Sequence, residues 1–290
     1  MQIDWTEKKE TIKKGWFKFS KSKLSVAGLI IVIAIIFSAV FASYIAPHPE
    51  HAGLYLDLEL GSQPPSANYL FGTDILGRDI LSRIIFGFRY SLLMACIVLS
   101  IVVPVGSLAG LLAGYLKGTF IELLIMRITD VFLAIPALIL AMAISAVLTP
   151  STLNAMLAVT VMWWPWYCRI TYGLASSLRN ESFVQAAHVT GAGSFHIVIR
   201  EILPNSLGTI LTRASLDVGI VILLGASLSF VGLGAQPPTP DLGTMIAEGY
   251  KYMPERWWMT IFPAFAIMLT IVGFNMLGDG IRDLYATEAV

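Results

Sequence analysis

Residues 24–46 read LSVAGLIIVIAIIFSAVFASYIA, a run of 23 residues without a charged side chain. A helix that crosses a bilayer needs about 20 mostly apolar residues, because each residue adds about 1.5 Å to its length. A secretory signal peptide is the alternative, since basic residues precede the run. The apolar region of a signal peptide is only about 7–15 residues long, however. The stretch therefore predicts an uncleaved transmembrane helix.

The composition of the whole chain agrees with a membrane protein. Of the 290 residues, 56% are apolar and 13% are charged, and the mean hydropathy is +0.75. Soluble domains carry about 25% charged residues, which face water. The 19 basic residues balance 19 acidic ones, which argues against nucleic-acid binding, and two cysteines are too few for a disulfide scaffold. We expect an all-α polytopic protein in the lipid bilayer.

Five further apolar runs follow the first one. The six predicted spans are residues 24–46, 94–116, 122–148, 153–172, 207–233 and 257–277. The first 23 residues contain seven lysines, and basic segments stay in the cytoplasm. Six spans return the chain to its starting side, so we expect both termini in the cytoplasm.

This arrangement divides the chain into four parts. They are a cytoplasmic tail at 1–23, the first span at 24–46, an outer loop at 47–90, and a five-helix core at 91–290 that includes a cytoplasmic loop at 176–206. The two loops are longer than a connection between helices requires.

The outer loop ends in a helical pattern. After Asp79, apolar side chains follow at positions 80, 81, 84, 85 and 88, which is the spacing of a helix with one apolar face. Asp79 is placed to cap its start. We predict a short helix that lies at the outer membrane surface and leads into the second span. The alternative is that the second span simply begins early.

The cytoplasmic loop reads ESFVQAAHVTGAGSFHIVIREILPN at 181–205. Small and apolar side chains at 183, 186, 187 and 190 predict a helix with one packing stripe. Gly191 and Gly193 allow a sharp bend, because a glycine lacks the Cβ that restricts other residues.

A second helix is expected after that bend. Ser194 is its candidate cap, and Ile197, Val198 and Ile202 give it an apolar side. Pro204 is expected to break it before the fifth span, because proline cannot donate a backbone hydrogen bond. The whole predicts a helix–turn–helix that docks into the groove of a partner.

Charged residues occur inside two predicted spans, where they are costly and mark functional sites. Arg127 and Asp130 are spaced for one same-face pair, and Arg213 and Asp217 for another. Each pair has a structural interpretation, in which it neutralises itself. The alternative is that Asp217 lines a polar pathway. The candidate pathway residues are Asp217, Arg213, Ser227 and Ser229.

Residues for metal binding and catalysis are sparse. His48, Glu50 and His51 offer two imidazoles and a carboxylate, which suit a transition metal. Because prolines interrupt this segment, we expect no fixed geometry and no metal site. The sequence has no phosphate-binding G-x-x-x-x-G-K-[ST] motif and no persuasive nucleophile–base–acid set. We predict no catalytic residue and no cofactor in this chain.

The cytoplasmic loop resembles the "EAA" coupling loop of ABC importer permeases. That pattern is Glu-Ala-Ala, three residues, Gly, then about nine residues to Leu-Pro. This chain has Gln185-Ala186-Ala187, then Gly191, then Leu203-Pro204. Gln185 replaces the usual Glu, and Glu201 stands where the subfamily often has His.

Three more stretches resemble the second permease of dipeptide, oligopeptide and nickel importers. They are FGTDILGRD at 71–79, LSFVGLGAQPPTP at 228–240 and FNMLGDGIRD at 274–283. Leu242 departs from the tryptophan that is usual there. The resemblance covers nearly the whole chain from residue 24.

The resemblance implies half of a heterodimeric pore in a prokaryotic plasma membrane. A homologous permease would form the other half, two ATPase subunits would hold ATP and Mg below it, and an extracytoplasmic binding protein would deliver the ligand. The implied ATPase-coupling residues are Gln185, Ala186, Ala187, Gly191, Ser194, Phe195, Ile197, Val198, Arg200, Glu201, Leu203 and Pro204.

Di- or oligopeptides are the expected substrate. Nickel, glutathione and short oligosaccharides are alternatives with the same role for this chain. Two other classes compete with the importer. A stand-alone secondary transporter needs coupling charges at mid-membrane and often contains inverted repeats. An intramembrane enzyme needs a catalytic pair inside the spans, whereas all four histidines lie outside them.

Overall fold

The computed structural model of the chain describes residues 16–17 and 19–285. Within these residues the chain is mostly helical, and its one β feature is an isolated bridge between Thr73 and Asp79. The predicted all-α class is confirmed. Most of the predicted tail, with five of its seven lysines, lies outside the described residues.

Between Lys23 and Tyr285 the chain forms eleven α-helices. In chain order they are α1 (Lys23–Val40), α2 (Ala42–Ile45), α3 (Ile80–Tyr115), α4 (Phe120–Leu133), α5 (Ala137–Val147), α6 (Thr152–Leu178), α7 (Ser182–Val189), α8 (Ser194–His196), α9 (Leu203–Phe230), α10 (Leu242–Tyr250) and α11 (Trp258–Tyr285). A π-helical turn, Ile197–Ile202, joins α8 to α9. Two 3₁₀ turns, Pro49–Ala52 and Leu58–Leu60, lie between α2 and α3.

Four helical stretches of the described chain are long and apolar enough to cross a membrane. They are α1, α3, the continuous stretch from α8 to α9, and α11. Helices α4 and α5 form a fifth if the pair, bent by 88°, counts as one span. Helix α6 has 27 residues but does not belong to this set. The count of six spans therefore stays a prediction, and so does the cytoplasmic location of both termini.

The predicted separate helix at the outer surface is wrong. Helix α3 runs from Ile80 to Tyr115 as 36 continuous residues, about 54 Å, so the second span begins early. Ile80, Ile84 and Phe88 are buried in a cluster with α1, α10 and α11, and this packing removes the apolar face that a surface helix would lay on lipid. The predicted cap is confirmed, since Asp79 Oδ2 accepts a hydrogen bond from the Ser82 N–H at 2.8 Å.

Helices α3 and α6 pack against each other with almost no space between their backbones. Three glycines of α3, each one turn from the next, face carbonyl oxygens of α6, and a Cβ on any of them would collide there. Small residues permit such close approach in lipid. The three pairs are Gly106 with Trp164, Gly110 with Cys168, and Gly114 with Tyr172.

The main apolar core lies beside this contact. It joins α3, α5, α6 and α9 and includes Val98, Val159 and Val221, each of them fully buried. On the other side of the molecule, α11 packs along α1 and α9. The ends of α6 and α9 that flank residues 179–202 belong to a smaller cluster, in which Leu178 and Leu203 pack against buried Leu111 and Ala175. This packing positions the loop between them.

Candidate functional site

The first half of the loop predicted to be cytoplasmic is a short helix followed by a glycine bend, as expected. Helix α7 ends at Val189, and Gly191, two residues further on, has a φ of +83°. The N–H of Ala192 donates to the carbonyl of Ala187 at 3.0 Å, and the N–H of Gly191 donates to that of His188 at 3.0 Å. These two bonds form a Schellman motif, which satisfies the last carbonyls of a helix. The bend is therefore built into the backbone.

The second half of the loop differs from the prediction at both of its ends. Gly193 holds the cap position without a side-chain bond, and Ser194 is already helical. Pro204 does not end the helix, because residues 194–230 form one continuous stretch. The π turn explains this: the N–H of Leu203 bonds to the carbonyl of Val198, five residues back. The wider turn accommodates a proline that would crowd the carbonyl of Arg200 in a regular α-helix.

The apolar side of the second helix is confirmed. Ile197, Val198 and Ile202 are buried in a cluster with Val184 of α7 and with the ends of α3 and α6. The stripe predicted for α7 is confirmed in part: Phe183 and Ala187 pack against this cluster, whereas Ala186 is exposed and the buried residue, Val184, was not predicted. Spacing alone did not reveal which face of so short a helix meets α3 and α6.

The opposite side of the loop presents apolar residues to the exterior. Val189 is 88% exposed and Phe195 is 73% exposed, and they flank the glycine bend. Of the other predicted coupling residues, Gln185, Ala186, Gly191, Ser194, Arg200 and Pro204 are exposed, and Ala187, Glu201 and Leu203 are half-buried. The side-chain amide of Gln185 donates a hydrogen bond to the Asn180 carbonyl at 3.1 Å. Gln185, which stands where the EAA pattern has Glu, therefore makes a local contact.

The Arg213–Asp217 pair predicted inside the fifth span is present. Arg213 Nε lies 3.0 Å from Asp217, and Trp163 of α6 donates its indole N–H to Asp217 Oδ2 at 3.1 Å. Asp217 is completely buried, whereas the Arg213 side chain is about one third exposed (32%). The carboxylate joins α6 to α9 and is completely buried within this chain, and its contribution to a pathway stays a prediction.

The second predicted pair, Arg127 with Asp130, is not formed. Asp130 instead bonds to Arg169 of α6, and Arg127 points to the exterior. Helix α4 lies beside α6, so tertiary packing supplies a partner that local spacing did not indicate.

The two candidate serines make local bonds. Ser227 donates to the Leu223 carbonyl at 2.7 Å. Ser229 is buried and accepts a hydrogen bond from the Ala235 N–H at 3.2 Å, which fixes the turn after α9. Their contribution to a pathway stays a prediction.

Comparison with known proteins agrees with this geometry. The family described as the binding-protein-dependent transport system inner membrane component matches residues 106–287. The N-terminal TM domain of oligopeptide transport permease C matches residues 12–65. The chain belongs to the binding-protein-dependent transport permease family. It is a multi-pass protein of the inner membrane, as predicted.

Similar proteins with curated names are transport permeases. The probable D,D-dipeptide transport system permease of Escherichia coli is 43% identical, with 92% of this chain and 89% of that protein aligned. The dipeptide permease of the same organism is 40% identical, with 94% and 91% aligned. The glutathione permease of Pectobacterium atrosepticum is 38% identical, with 93% and 89% aligned.

A solved structure shares the fold. The inward-facing MetNI methionine ABC transporter has a chain that matches with a TM-score of 0.56 and 19% identity, covering 69% of the permease and 95% of that chain. At this identity the likeness shows the fold alone.

The FGTDILGRD stretch of the permease organises its outer loop. Asp74 Oδ1 accepts hydrogen bonds from the N–H groups of Leu76 and Arg78, each at 2.9 Å. Asp74 Oδ2 lies 2.6 Å from Arg78 Nε and 3.7 Å from Arg83 Nε. Arg78 reaches Glu248 of α10 at 3.5 Å. These charges tie the outer loop to α3 and α10.

The outer histidines of the permease lie closer together than the sequence suggested. A 3₁₀ turn brings ligand atoms of His48, Glu50 and His51 within 4.8 Å of one another, so the expectation of no fixed geometry was wrong. His51 Nδ1 accepts a hydrogen bond from the Asp79 N–H at 2.9 Å. The ring proton therefore sits on Nε2, the atom that faces Glu50, and leaves no lone pair there for a metal.

Proposed function

We propose that this permease forms one half of the pore of an ATP-driven importer and that di- or oligopeptides pass through it. The relatives at 40–43% identity named above are dipeptide permeases, which supports this substrate. The glutathione permease carries a substrate of the same chemical class, a short peptide. A second homologous permease completes the pore, and an extracytoplasmic binding protein delivers the ligand.

The observation that carries the proposal is the exposed apolar surface of the cytoplasmic loop. Val189 and Phe195 stand outside a bend whose other side is anchored by buried Ile197 and Val198. An aromatic side chain held on a rigid element is typical of an interface anchor. The proposed partner is an ATPase subunit that holds ATP and Mg, since the sequence of the permease has no phosphate-binding G-x-x-x-x-G-K-[ST] motif.

The coupling route follows from helix continuity. A displacement of Phe195 moves the helical stretch to which it belongs, and this stretch continues to Phe230 without a break. Closure of the ATPase pair on ATP moves this stretch, and the pore exchanges between inward and outward access. Such exchange is an equilibrium between two packings that a bound ligand biases.

The test is a truncation of this anchor with a matched control. Phe195→Ala is expected to weaken ATPase association at least about tenfold, as expected for an interface anchor. Leu54→Ala removes a 94% exposed apolar side chain from the outer loop and is expected to leave association unchanged. Co-purification of the ATPase subunits and peptide uptake into vesicles measure the two effects.

Two results would contradict the proposal. One is full ATPase co-purification and uptake with Phe195→Ala. The other is peptide transport by the wild-type chain without any ATPase, which would place it among secondary transporters. Competition of labelled dipeptide uptake by glutathione, nickel and a disaccharide separates the possible substrates.

A further inference from the structure

A pocket of about 380 Å³ opens between α6, α9 and α11. It lies about two to three helical turns along α9 from the coupling loop, near the end of α11. Its volume is within the range of ligand sites, about 300–1,000 Å³. Its lining includes Thr209, Thr212, Arg213 and Arg282 as polar residues and Ile170 and Leu216 as apolar ones.

The charge of this pocket is positive. No carboxylate lines it: Asp217 is completely buried behind Arg213, and Asp279 and Asp283 are not among the lining residues. Arg282 is exposed and forms no ion pair within the described chain. Arg213 donates a hydrogen bond from Nε to Asp217. The remaining N–H groups of its partly exposed guanidinium can bind other acceptors.

The two threonines supply further donors. The helical Thr129, Thr160, Thr171 and Thr270 each donate to the carbonyl four residues earlier. Thr209 and Thr212 make no such bond to any described residue. Their hydroxyl groups are therefore available to a ligand in the pocket.

We propose that this pocket binds the phosphate group of an anionic phospholipid. Guanidinium and hydroxyl donors suit phosphate oxygens, and Ile170 and Leu216 form an apolar wall for the glycerol and acyl parts. Basic pockets between membrane helices on the cytoplasmic side are known to hold anionic headgroups. The cytoplasmic side is taken from the proposed function, which places the coupling loop there.

A translocating peptide fits this pocket less well. A peptide carries an ammonium group as well as a carboxylate, and the ammonium would find no acidic partner in the lining. A lipid phosphate that bears no cationic headgroup satisfies the donors without that cost, as in phosphatidylglycerol.

The test uses the complete purified transporter, stripped of lipid in detergent. Short-chain phosphatidylglycerol is titrated and counted by native mass spectrometry, with phosphatidylcholine, which is zwitterionic and has no net charge, as the comparison. Wild type is expected to bind phosphatidylglycerol preferentially. Arg282→Gln is expected to weaken that binding about fivefold, and Arg282→Lys to weaken it less. Arg127→Gln is the control, because Arg127 is also exposed but does not line the pocket.

Equal binding of both lipids, or unchanged binding in Arg282→Gln, overturns the proposal. A dipeptide that binds and is lost in Arg282→Gln, while phosphatidylglycerol binding is unchanged, also overturns it and assigns the pocket to substrate. The readout is independent of transport. A transporter that binds phosphatidylglycerol as expected but carries no peptide would refute the proposed function and leave this inference standing.

Discussion

The indole N–H of Trp163 on α6 donates a hydrogen bond to Asp217 on α9, with 3.1 Å between Nε1 and Oδ2. Helix α6 precedes residues 179–202, the proposed coupling loop, and α9 follows them. This bond therefore connects the two helices that flank the loop. In the proposed mechanism, a displacement of the loop would therefore act on two connected helices.

Substitution of Asp217 separates its charge from its role as an acceptor. Asp217→Ala is expected to lower the free energy of unfolding by about 3 kcal/mol, because Trp163 loses its acceptor and Arg213 its buried partner. Asp217→Asn keeps an acceptor for the indole and is expected to cost less. Thermal unfolding of the purified transporter measures both. If the residue is structural, Asp217→Asn retains peptide uptake; loss of uptake at normal stability would instead assign Asp217 to the pathway.

The glycine contact between α3 and α6 predicts opposite effects at two positions. Gly110→Ala is expected to lower the midpoint of thermal unfolding, because the new methyl group meets the Cys168 carbonyl. Gly173→Ala is expected to raise it slightly, since open space surrounds that helical glycine and alanine is favoured in a helix by about 0.5–1 kcal/mol. Two equal shifts would show that α3 and α6 are not packed as closely as described.

The left-handed conformation of Gly191 predicts a position-specific effect on coupling. Gly191→Val is expected to reduce ligand-stimulated ATP hydrolysis strongly, because a β-branched residue rarely adopts a φ of +83°. Gly193→Val is the control, since Gly193 has a φ of −70° and no neighbour within 4 Å of a Cβ. If both variants show equal ligand-stimulated ATP hydrolysis when present in equal amounts in the membrane, the bend at Gly191 is not required for coupling.

The pKa of His51 predicts that acid loosens the outer loop. Burial, and then nearby His48, lowers the pKa of His51 below 6.5, against opposing effects of Glu50, Asp79 and Asp74. The unfolded segment therefore binds more protons than the folded one, and stability is lost as the pH falls from about 6.5 towards the lowered pKa. The protection of residues 47–79 from hydrogen exchange, relative to the intrinsic exchange rate at each pH, is expected to be lower at pH 5 than at pH 7.5.

A variant at the same position checks that assignment. His51→Gln keeps an acceptor for the Asp79 N–H but does not titrate. The difference in protection from hydrogen exchange between pH 5 and pH 7.5 is therefore expected to become smaller. His196→Gln, in the cytoplasmic loop, is expected to leave the difference unchanged. An undiminished difference in His51→Gln would assign the effect to another group.

The sequence by itself determined the class of the protein, its apolar helices and the glycine bend of the coupling loop. These features are local: an uncharged run such as 24–46 has no favourable place outside lipid, and Gly191 ends a helix by its own conformation. The apolar side formed by Ile197, Val198 and Ile202 followed from spacing for the same reason. The four motifs in order indicated the family.

Tertiary structure decided which groups meet. Asp130 pairs with Arg169, 39 positions away, and His51 accepts from Asp79, 28 positions away; no spacing rule relates such partners. Pro204 continues a helix because a π turn precedes it, and α3 begins at Ile80 because α1, α10 and α11 cover its apolar face. Local sequence sets which secondary structure each segment can form, whereas contact between distant segments selects the partners of each side chain. Burial and pairing lower the free energy of the chain only when folding brings the distant residues together.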